Sequence, residues 1–243
     1  MTATLRQTRY TARFAQTRDA ITACQALRRQ AFFGEEGLDQ DAFDPLCQHL
    51  MIIDCATDQL VGTTRFAIFE QGDDLSRSYT AQSYDLTALH GVTGAVAEVG
   101  RFCLRDGPVS SDILRVAWAA LTRLVDAHDV TMLFGCSSFA GTDPAPHAAA
   151  LSLLRHRYLG PAHLRPARKA DETLPLDRFD GTARDGLAQM PPLLASYLRM
   201  GGWVSDHAVV DHAMQTLHVF TGLLIADVPP ARAKALRGLA QLI

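Results

Sequence analysis

The stretch GAVAEVGRFCL, residues 94–104, has the composition of a buried β-strand, yet it carries two charged side chains, Glu98 and Arg101. Burial of an unpaired charge is costly, so the two residues either form a buried ion pair or line a site that needs charge. Side chains alternate along a regular strand, which would place Glu98 and Arg101 on opposite faces. A bulge at Gly100 would bring both to one face. The stretch therefore predicts an irregular central strand beside a groove.

The composition is that of an ordinary globular protein, with 243 residues, 48% of them hydrophobic, and a formal net charge of −3. This charge gives no general signal for nucleic-acid binding, so a basic contact surface must be local. No apolar run reaches the roughly 18 residues that span a bilayer. The five cysteines form no CxxC pair. We therefore expect a reduced, cytoplasmic protein with no metal site.

Hydrophobic periodicity predicts the element order β-α-β-β-loop-β-α-β-α-insert-β-β. This order favours an α/β (α+β) fold, with one mixed central sheet flanked by helices. We expect a single domain, 1–243, with a core at about 8–225, an inserted helical and loop segment at about 160–200, and a tail at 229–243. The main predicted elements are a helix at 19–33 capped by Asp19, strands at 49–55 and 59–70, the strand quoted above, a helix at 113–129, a strand at 130–139, a helix within 142–159, a short helix at 191–200 and a closing hairpin.

Several charged residues and one aromatic residue follow one another in a distinctive order and spacing. Together they resemble the signature of acyl-homoserine-lactone synthases, on the fold of the GCN5-related N-acyltransferases (GNAT). Longer stretches are more specifically similar to bacterial ornithine-lipid N-acyltransferases, and the resemblance covers about residues 10–225. The signature residues are Arg28, Phe32, Asp41, Asp44, Arg65, Glu98 and Arg101, and the longer stretches are LFGCSSFAGTDPAPHAAALSLLRHRYL (133–159), MPPLLASYLRMGGW (190–203) and DHAVVDHAMQTLHVF (206–220).

The resemblance implies transfer of a 3-hydroxyacyl chain from acyl carrier protein to the α-amino group of L-ornithine. An amine attacks a thioester only as the free base, so such an enzyme needs a proton acceptor. The resemblance assigns this catalytic role to Glu98, with Arg101 beside it. A bound amino acid needs a cation for its carboxylate and an anion for a side-chain ammonium group. The expected substrate-binding residues are Arg28, Phe32, Asp41, Asp44 and Arg65.

The loop LRDGPVSSD, residues 104–112, lacks the glycine pattern with which acetyl-coenzyme-A-dependent relatives bind pyrophosphate. The acyl-phosphopantetheine of a carrier protein has a single phosphodiester, and no tightly bound cofactor is expected. Ser110 and Ser111 are the candidate ligands of that phosphate. Carrier proteins are acidic, and LRHRYLGPAHLRPARK, residues 154–169, has five Lys or Arg and no Asp or Glu. The predicted docking residues are Arg155, Arg157, Arg165 and Arg168, unless this is simply a solvated helix end and loop.

Three other functions stay open at this point. The first is the same transfer to another amino acid, such as glutamine, and the second is an enzyme like the acyl-homoserine-lactone synthases. The third is a non-catalytic module that binds acyl carrier protein or lipid. Tyr158 is a candidate for protonating the departing thiol, with core packing as the alternative. The tail has Leu236, Leu239, Ala240 and Ile243 on one helical face, so it either packs on its own domain or makes weak peripheral contact with the inner face of an anionic membrane.

Overall fold

The computed structural model describes residues 9–105 and 111–242. The helices are α1 Arg18–Phe33, α2 Ser111–Ala127, α3 Ala148–Arg157, α4 Ala183–Gln189, α5 Pro192–Arg199 and α6 Pro230–Ala240. The strands are β1 Tyr10–Phe14, β2 Gln48–Asp54, β3 Gln59–Phe69, β4 Tyr84–Asp85, β5 Ala95–Leu104, β6 Val130–Ala140, β7 Ala167–Arg168, β8 Thr173–Pro175, β9 Trp203–Asp211 and β10 Thr216–Leu224. The predicted order is confirmed, and the short strands β4, β7 and β8 lie in stretches that the sequence indicates as loop.

The chain forms two compact units. Unit 1 comprises the described residues of 1–67, 99–129 and 230–243, and unit 2 comprises 68–98 and 130–229. Strand β5 is divided between them after Glu98. The assignment of 1–243 to a single domain stays a prediction.

Unit 1 is built on an antiparallel arrangement in which β1 pairs with β2 and β2 pairs with β3. Helices α1 and α2 pack against these strands. Helix α1 begins after Thr17, whose Oγ1 accepts a hydrogen bond from the Ala20 N–H at 3.2 Å. The N-cap is therefore Thr17 rather than the predicted Asp19, which lies in the first turn, where its charge favours the helix dipole. Gly34, with φ 68°, ends the helix in the left-handed conformation.

The tail forms α6, which packs on α2 within unit 1. Its Ala240 is buried and Leu236 is half-buried. The Arg237 guanidinium donates to both carboxylate oxygens of Asp126, with Nη2 at 2.7 Å from Oδ1. The apolar face of the tail is thus used for packing on its own unit. Among the helices of the described residues, none is long and apolar enough to cross a membrane.

Unit 2 contains the mixed sheet that the sequence predicts. The first half of β5 runs parallel to β6, from the Ala95–Val130 pair to the Glu98–Phe134 pair. Strands β10, β9 and β8 then continue the sheet from β6 in antiparallel fashion. Helices α3 and α5 pack on this sheet, and the prediction of a mixed sheet flanked by helices is confirmed. The core side chains of this layer include Phe139, Leu151, Leu154, Leu194, Leu198, Val204 and Leu217.

Trp203 fills a narrow space beside two glycines of unit 2. A Cβ atom on Gly160 would overlap the six-membered ring of the indole, and one on Gly222 would lie 2.5 Å from it. Trp203 is buried, so its ring has little room to move away. Close approach of the backbone at these two positions therefore depends on glycine.

We expect Gly160→Ala to lower the free energy of unfolding by about 1–3 kcal/mol, because the added methyl group overpacks the space that the indole occupies. Urea denaturation followed by circular dichroism measures this. The matched control is Gly91→Ala in the same unit, where the added Cβ meets no heavy atom within 4 Å. The control should stay within about 0.5 kcal/mol of the parent chain. Equal stability of the two variants would contradict the packing account.

Candidate functional site

A cluster of arginines and aspartates in unit 1 joins α1, β3 and the second half of β5 to the acidic loop that follows α1. Because each arginine faces at least two carboxylates, the cluster is internally neutralised. We call it the Arg–Asp cluster. Its members are Arg28, Asp39, Asp41, Asp44, Arg65 and Arg101.

Arg28 lies at the centre of the Arg–Asp cluster with no exposed surface. Its Nε donates to Asp39 Oδ2 at 2.8 Å, and its Nη1 donates to Asp44 Oδ1 at 2.8 Å. Its Nη2 donates to Asp44 Oδ2 at 2.9 Å and to the backbone carbonyl of Asp39. Gln25, one turn earlier on the same side of α1, donates to Asp44 Oδ2 at 2.8 Å. These bonds fix the loop 39–44 to the helix.

Arg65 approaches the same loop from β3. Its Nη1 donates to Asp41 Oδ1 at 2.6 Å and to Asp44 Oδ1 at 2.5 Å, and its Nη2 donates to Asp41 Oδ2 at 2.7 Å. Burial lowers the pKa of Arg65, but the bonds and charge of Asp41, together with a bond to Asp44, outweigh it and raise that pKa above the ordinary value. Arg65 therefore stays charged at all relevant pH values.

The pKa values of the paired carboxylates are shifted in the opposite direction, below their ordinary values. Burial raises the pKa of Asp44, but the bonds from Arg28, Arg65 and Gln25 outweigh it and hold that pKa well below the usual range. The pKa of Asp41 is lowered in the same way, with burial opposed mainly by Arg65. Neither carboxylate is suited to accept a proton near neutral pH, so their chemistry is binding and positioning.

Arg101 completes the cluster from β5 with an unusual backbone conformation. Its φ is 54°, in the left-handed region that residues other than glycine rarely adopt. This left-handed residue lies one position after Gly100, and the bulge at Gly100 stays a prediction. The Gly100 carbonyl accepts a hydrogen bond from Thr64 Oγ1 at 2.9 Å. The Arg101 side chain reaches Asp39 Oδ2 at 3.1 Å and Asp41 Oδ2 at 3.3 Å.

Exposure separates the cluster into a buried centre and an accessible edge. The side chains of Arg28, Arg65 and Asp44 are 0%, 3% and 5% exposed. Those of Asp41 and Arg101 are 22% and 12% exposed. The Phe32 ring lies at this edge, with its centroid 5.9 Å from Arg101 Cζ. A polar ligand could therefore reach Asp41 and Arg101 while the centre stays closed.

Sequence reasoning missed three members of this environment: Asp39, Gln25 and His49. His49 is buried, with Nε2 3.2 Å from the Asp44 carbonyl, and burial lowers its pKa, which keeps it neutral. Gln25 could have been found from its spacing of three from Arg28 on a helix. Asp39 carried a weaker signal, since it is one of several acidic residues in the same loop.

Glu98 lies in unit 2 and is 5% exposed. Its Oε1 accepts a hydrogen bond from the Thr80 N–H at 2.6 Å, and its Oε2 accepts one from the Tyr79 N–H at 3.0 Å. Each carboxylate oxygen accepts one N–H group and keeps lone-pair capacity for a further donor. The carboxylate thus anchors the backbone at residues 79–80. Its assignment as the general base stays a prediction.

The predicted docking arginines all lie in unit 2, on the C-terminal end of α3 and the segment that follows it. Arg157 and Arg168 are exposed, and Arg155 and Arg165 are half-buried. Within the part of the chain that the structure describes, none of the four forms an ion pair. Leu159, in the same segment, exposes 37% of its surface. Tyr158 packs against the core of unit 2, which is the alternative to its role as an acid.

The two predicted phosphate ligands, Ser110 and Ser111, lie wholly or partly outside the described residues. Ser110 lies outside the described residues, and Ser111 begins α2 but its side chain is not among those described. Among the described residues, no group of three or more His, Cys, Asp or Glu side chains is suited to hold a metal ion. The carboxylates that do converge, in the Arg–Asp cluster, are held by arginines.

Comparison with known proteins identifies the family to which the chain belongs. Residues 24–119 match the model of the acetyltransferase (GNAT) domain. An L-ornithine N(alpha)-acyltransferase of Rhodobacter capsulatus is 33% identical over 227 residues, covering 86% of this chain and 88% of the relative. One of Brucella abortus is 33% identical over 239 residues, covering 89% and 84%. The resemblance predicted from the signature residues is confirmed.

Solved structures agree on the fold. FeeM, an N-acyl amino acid synthase from uncultured soil microbes, superimposes with a TM-score of 0.52 at 11% identity, over 97% of this chain and 98% of its own. BjaI, a coenzyme-A-dependent acyl-homoserine lactone synthase, gives 0.51 at 12% identity, over 96% and 89%. The mixed sheet, the Arg–Asp cluster and the two close relatives together show that this chain is an acyltransferase with a GNAT-like fold and belongs to the L-ornithine N(alpha)-acyltransferase family.

Proposed function

We propose that the chain transfers a 3-hydroxyacyl group from the thioester of acyl carrier protein to the α-amino group of L-ornithine. The amine nitrogen attacks the thioester carbonyl, a C–N bond forms, and the C–S bond breaks. The amine loses one proton to a base, and the departing thiolate takes up one proton. The names of the relatives support the acceptor. The observation that carries the proposal is the accessible edge of the Arg–Asp cluster.

At this edge, Asp41 and Arg101 are already paired with each other. An α-amino acid carries the same two charges, so its carboxylate can replace Asp41 as a partner of Arg101, and an ammonium group can replace Arg101 as a partner of Asp41. The buried pairs of Arg28 and Arg65 hold the loop in place during this exchange. The edge is therefore suited to a zwitterionic ligand.

The names of the relatives support L-ornithine over the glutamine alternative. The charge of the loop that supplies Asp41 does not distinguish the two acceptors, because the carboxylates of the Arg–Asp cluster are paired with arginines. An acyl-homoserine-lactone-like activity and a non-catalytic binding module are the remaining alternatives.

The direct test incubates the purified chain with 3-hydroxyacyl carrier protein and one acceptor at a time: L-ornithine, L-lysine, L-glutamine or S-adenosylmethionine. Mass spectrometry identifies the product, and a thiol reagent follows the released phosphopantetheine. We expect N-acylation of L-ornithine at the α-nitrogen. A main product with glutamine or S-adenosylmethionine would replace the proposed acceptor. Carrier binding without thiol release would leave only the binding module.

We propose Glu98 as the proton acceptor, supported by its burial and by the two backbone N–H groups that hold its carboxylate in place. Glu98→Gln should lower turnover by about 10²–10⁴-fold, the range typical of a lost general base. Steady-state kinetics with saturating acceptor measures this. The matched control is Glu70→Gln, an exposed glutamate of the same unit, which should keep full activity. Activity of Glu98→Gln within about threefold of the parent would rule out Glu98 as the base. If the variant does not fold, Glu98 is assigned only the structural role of anchoring residues 79–80.

We also propose that the carrier docks on the basic segment, residues 154–169. Reversing Arg155, Arg157, Arg165 and Arg168 to Glu should raise KM for the acyl carrier protein, because the acidic carrier would be repelled. Turnover with a small acyl-pantetheine thioester should hardly change. Added salt should weaken only the carrier reaction, since charge steering between exposed groups is screened beyond about 8–10 Å.

The control for docking reverses Arg178, Arg184 and Arg199, which are exposed in the same unit but lie outside the basic segment. Their reversal gives the same change in net charge per residue without removing the proposed contacts. If both sets of reversals raise KM for the carrier equally, the effect comes from net charge and not from docking on the basic segment. Equal use of acyl-coenzyme A and acyl carrier protein by the parent chain would remove the carrier from the proposal.

The reaction would take place in the cytoplasm, near the inner face of the membrane that receives the acylated product. The apolar face of α6 packs on α2, so only its exposed cations are left for lipid contact. Arg232 and Lys234 are exposed. Each such charge contributes about 1 kcal/mol of attraction to an anionic surface, which supports at most a weak peripheral contact.

A further inference from the structure

Residues 78–85 of unit 2 form a segment, which we call the strap, in which buried residues lie beside the exposed Gln82 and Asp85. Ser78 and Thr80 are each 1% exposed, Ala81 is 3% exposed and Tyr84 is fully buried. Ser78 Oγ donates to the carbonyl of Leu75, which precedes the strap, at 2.8 Å and accepts from the Ala81 N–H inside it at 3.2 Å. Thr80–Gln82 forms a short 3-10 helix, and β4 follows it. The segment thus has a defined conformation.

One end of the strap is held by the proposed catalytic carboxylate. Glu98 accepts the N–H groups of Tyr79 and Thr80, as described above. The Thr80 hydroxyl is also 3.8 Å from Cys136 Sγ on β6. A shift of the peptide groups at 79–80 would therefore change the position of the Glu98 carboxylate directly.

The other end of the strap is held by the basic segment and the residue after it. Lys169 Nζ donates to the Ala81 carbonyl at 2.6 Å, and the Ala170 N–H donates to the Ser83 carbonyl at 3.0 Å. Strand β4 then pairs with β7, with Tyr84 opposite Arg168. The strap is thus bonded to the strand that contains Arg168, one of the proposed docking cations, and to the two residues that follow it.

Tyr84 gives this connection a rigid support. Its hydroxyl donates to the His218 carbonyl at 3.0 Å, and its ring lies edge-on to Phe220 with centroids 5.8 Å apart. The pairing of β4 with β7 is therefore fixed to the sheet of unit 2. Ala81 lies between residues 79–80, which Glu98 holds, and Tyr84. At this position the side chain of Lys169 joins the basic segment to the strap.

We propose that carrier docking is coupled to the position of Glu98 through the strap, and that Lys169 is the positioning residue that makes this connection. The inference rests on the proposed function. The Ala81 carbonyl belongs to the peptide group between residues 81 and 82, two peptide groups after the one that carries the Thr80 N–H. Bonds from the Gln82 N–H to the Tyr79 carbonyl and from the Ser83 N–H to the Thr80 carbonyl, both 3.1 Å, hold these groups in one tight turn. The bond from Lys169 therefore limits the motion of the turn whose first N–H groups donate to Glu98. A carrier bound at Arg165 and Arg168 restrains the segment that carries Lys169, and the restraint passes to the strap.

The kinetic test compares Lys169→Met with Arg168→Met, using the acyl carrier protein and a small acyl-pantetheine thioester as donors. Lys169→Met should lower kcat by about three- to tenfold with both donors, the effect of losing one hydrogen bond that positions the carboxylate. Arg168→Met should raise KM for the carrier, because it removes a docking cation but keeps the bond from Lys169 to the strap. Lys169→Arg should restore kcat, because it returns a donor to the Ala81 carbonyl. Arg184→Met, exposed and outside the basic segment, is the control.

The structural test follows amide hydrogen exchange at residues 79–80. Lys169→Met should speed exchange there, and added carrier protein should slow exchange in the parent chain but not in Lys169→Met. A variant that only raises KM for the carrier, with unchanged exchange, would make Lys169 a docking cation and overturn the proposal. If the parent chain acylates none of the acceptors, the proposed function is wrong. The exchange measurement needs no turnover, so it still tests the coupling in that case. If Lys169→Met fails to fold, Lys169→Gln takes its place in both tests.

Discussion

A buried guanidinium group, that of Arg28, is the constraint on which unit 1 depends. A charge without solvent contact must be paired and fully hydrogen-bonded, and removing one partner of such a group costs about 3–5 kcal/mol. The sequence provides the partners within one short loop, as Asp39 and Asp44. Once these are fixed to α1, the same loop presents carboxylates to Arg65 and Arg101. The loop has little apolar surface of its own, so charge pairing replaces a hydrophobic core at this place.

The carboxylates among the predicted functional residues divide into two classes according to their partners. Asp41 and Asp44 face arginines, which hold their pKa values low and make them permanent anions. Glu98 accepts hydrogen bonds from the backbone N–H groups of Tyr79 and Thr80. The first arrangement suits the binding of a charged ligand, and the second suits the anchoring of a backbone segment.

The sequence predicted the regular elements well because their periodicity is local, as in α1 and the strands β2 and β3. It also selected most of the Arg–Asp cluster, through the resemblance of its charged residues to the signature of acyl-homoserine-lactone synthases. It could not predict what depends on distant pairing. Strands β4 and β7 are two residues each, too short for any period, and their partners are about 80 residues apart in the chain. Propensity predicts a bulge at Gly100, whereas the left-handed residue is Arg101, whose salt bridges offset a backbone cost of about 1–2 kcal/mol.

The enclosure of Trp203 between two glycine backbones has a spectroscopic consequence. The chain has two tryptophans, and each compact unit contains one of them, Trp118 in α2 and Trp203 in β9. Both are buried, at 6% and 5% exposure, so the emission of each shifts to longer wavelength when water reaches its indole. A single Trp→Phe replacement leaves a reporter for one unit alone. Intrinsic fluorescence can therefore follow the unfolding of the two units separately, without labels and without assuming that they melt in one step.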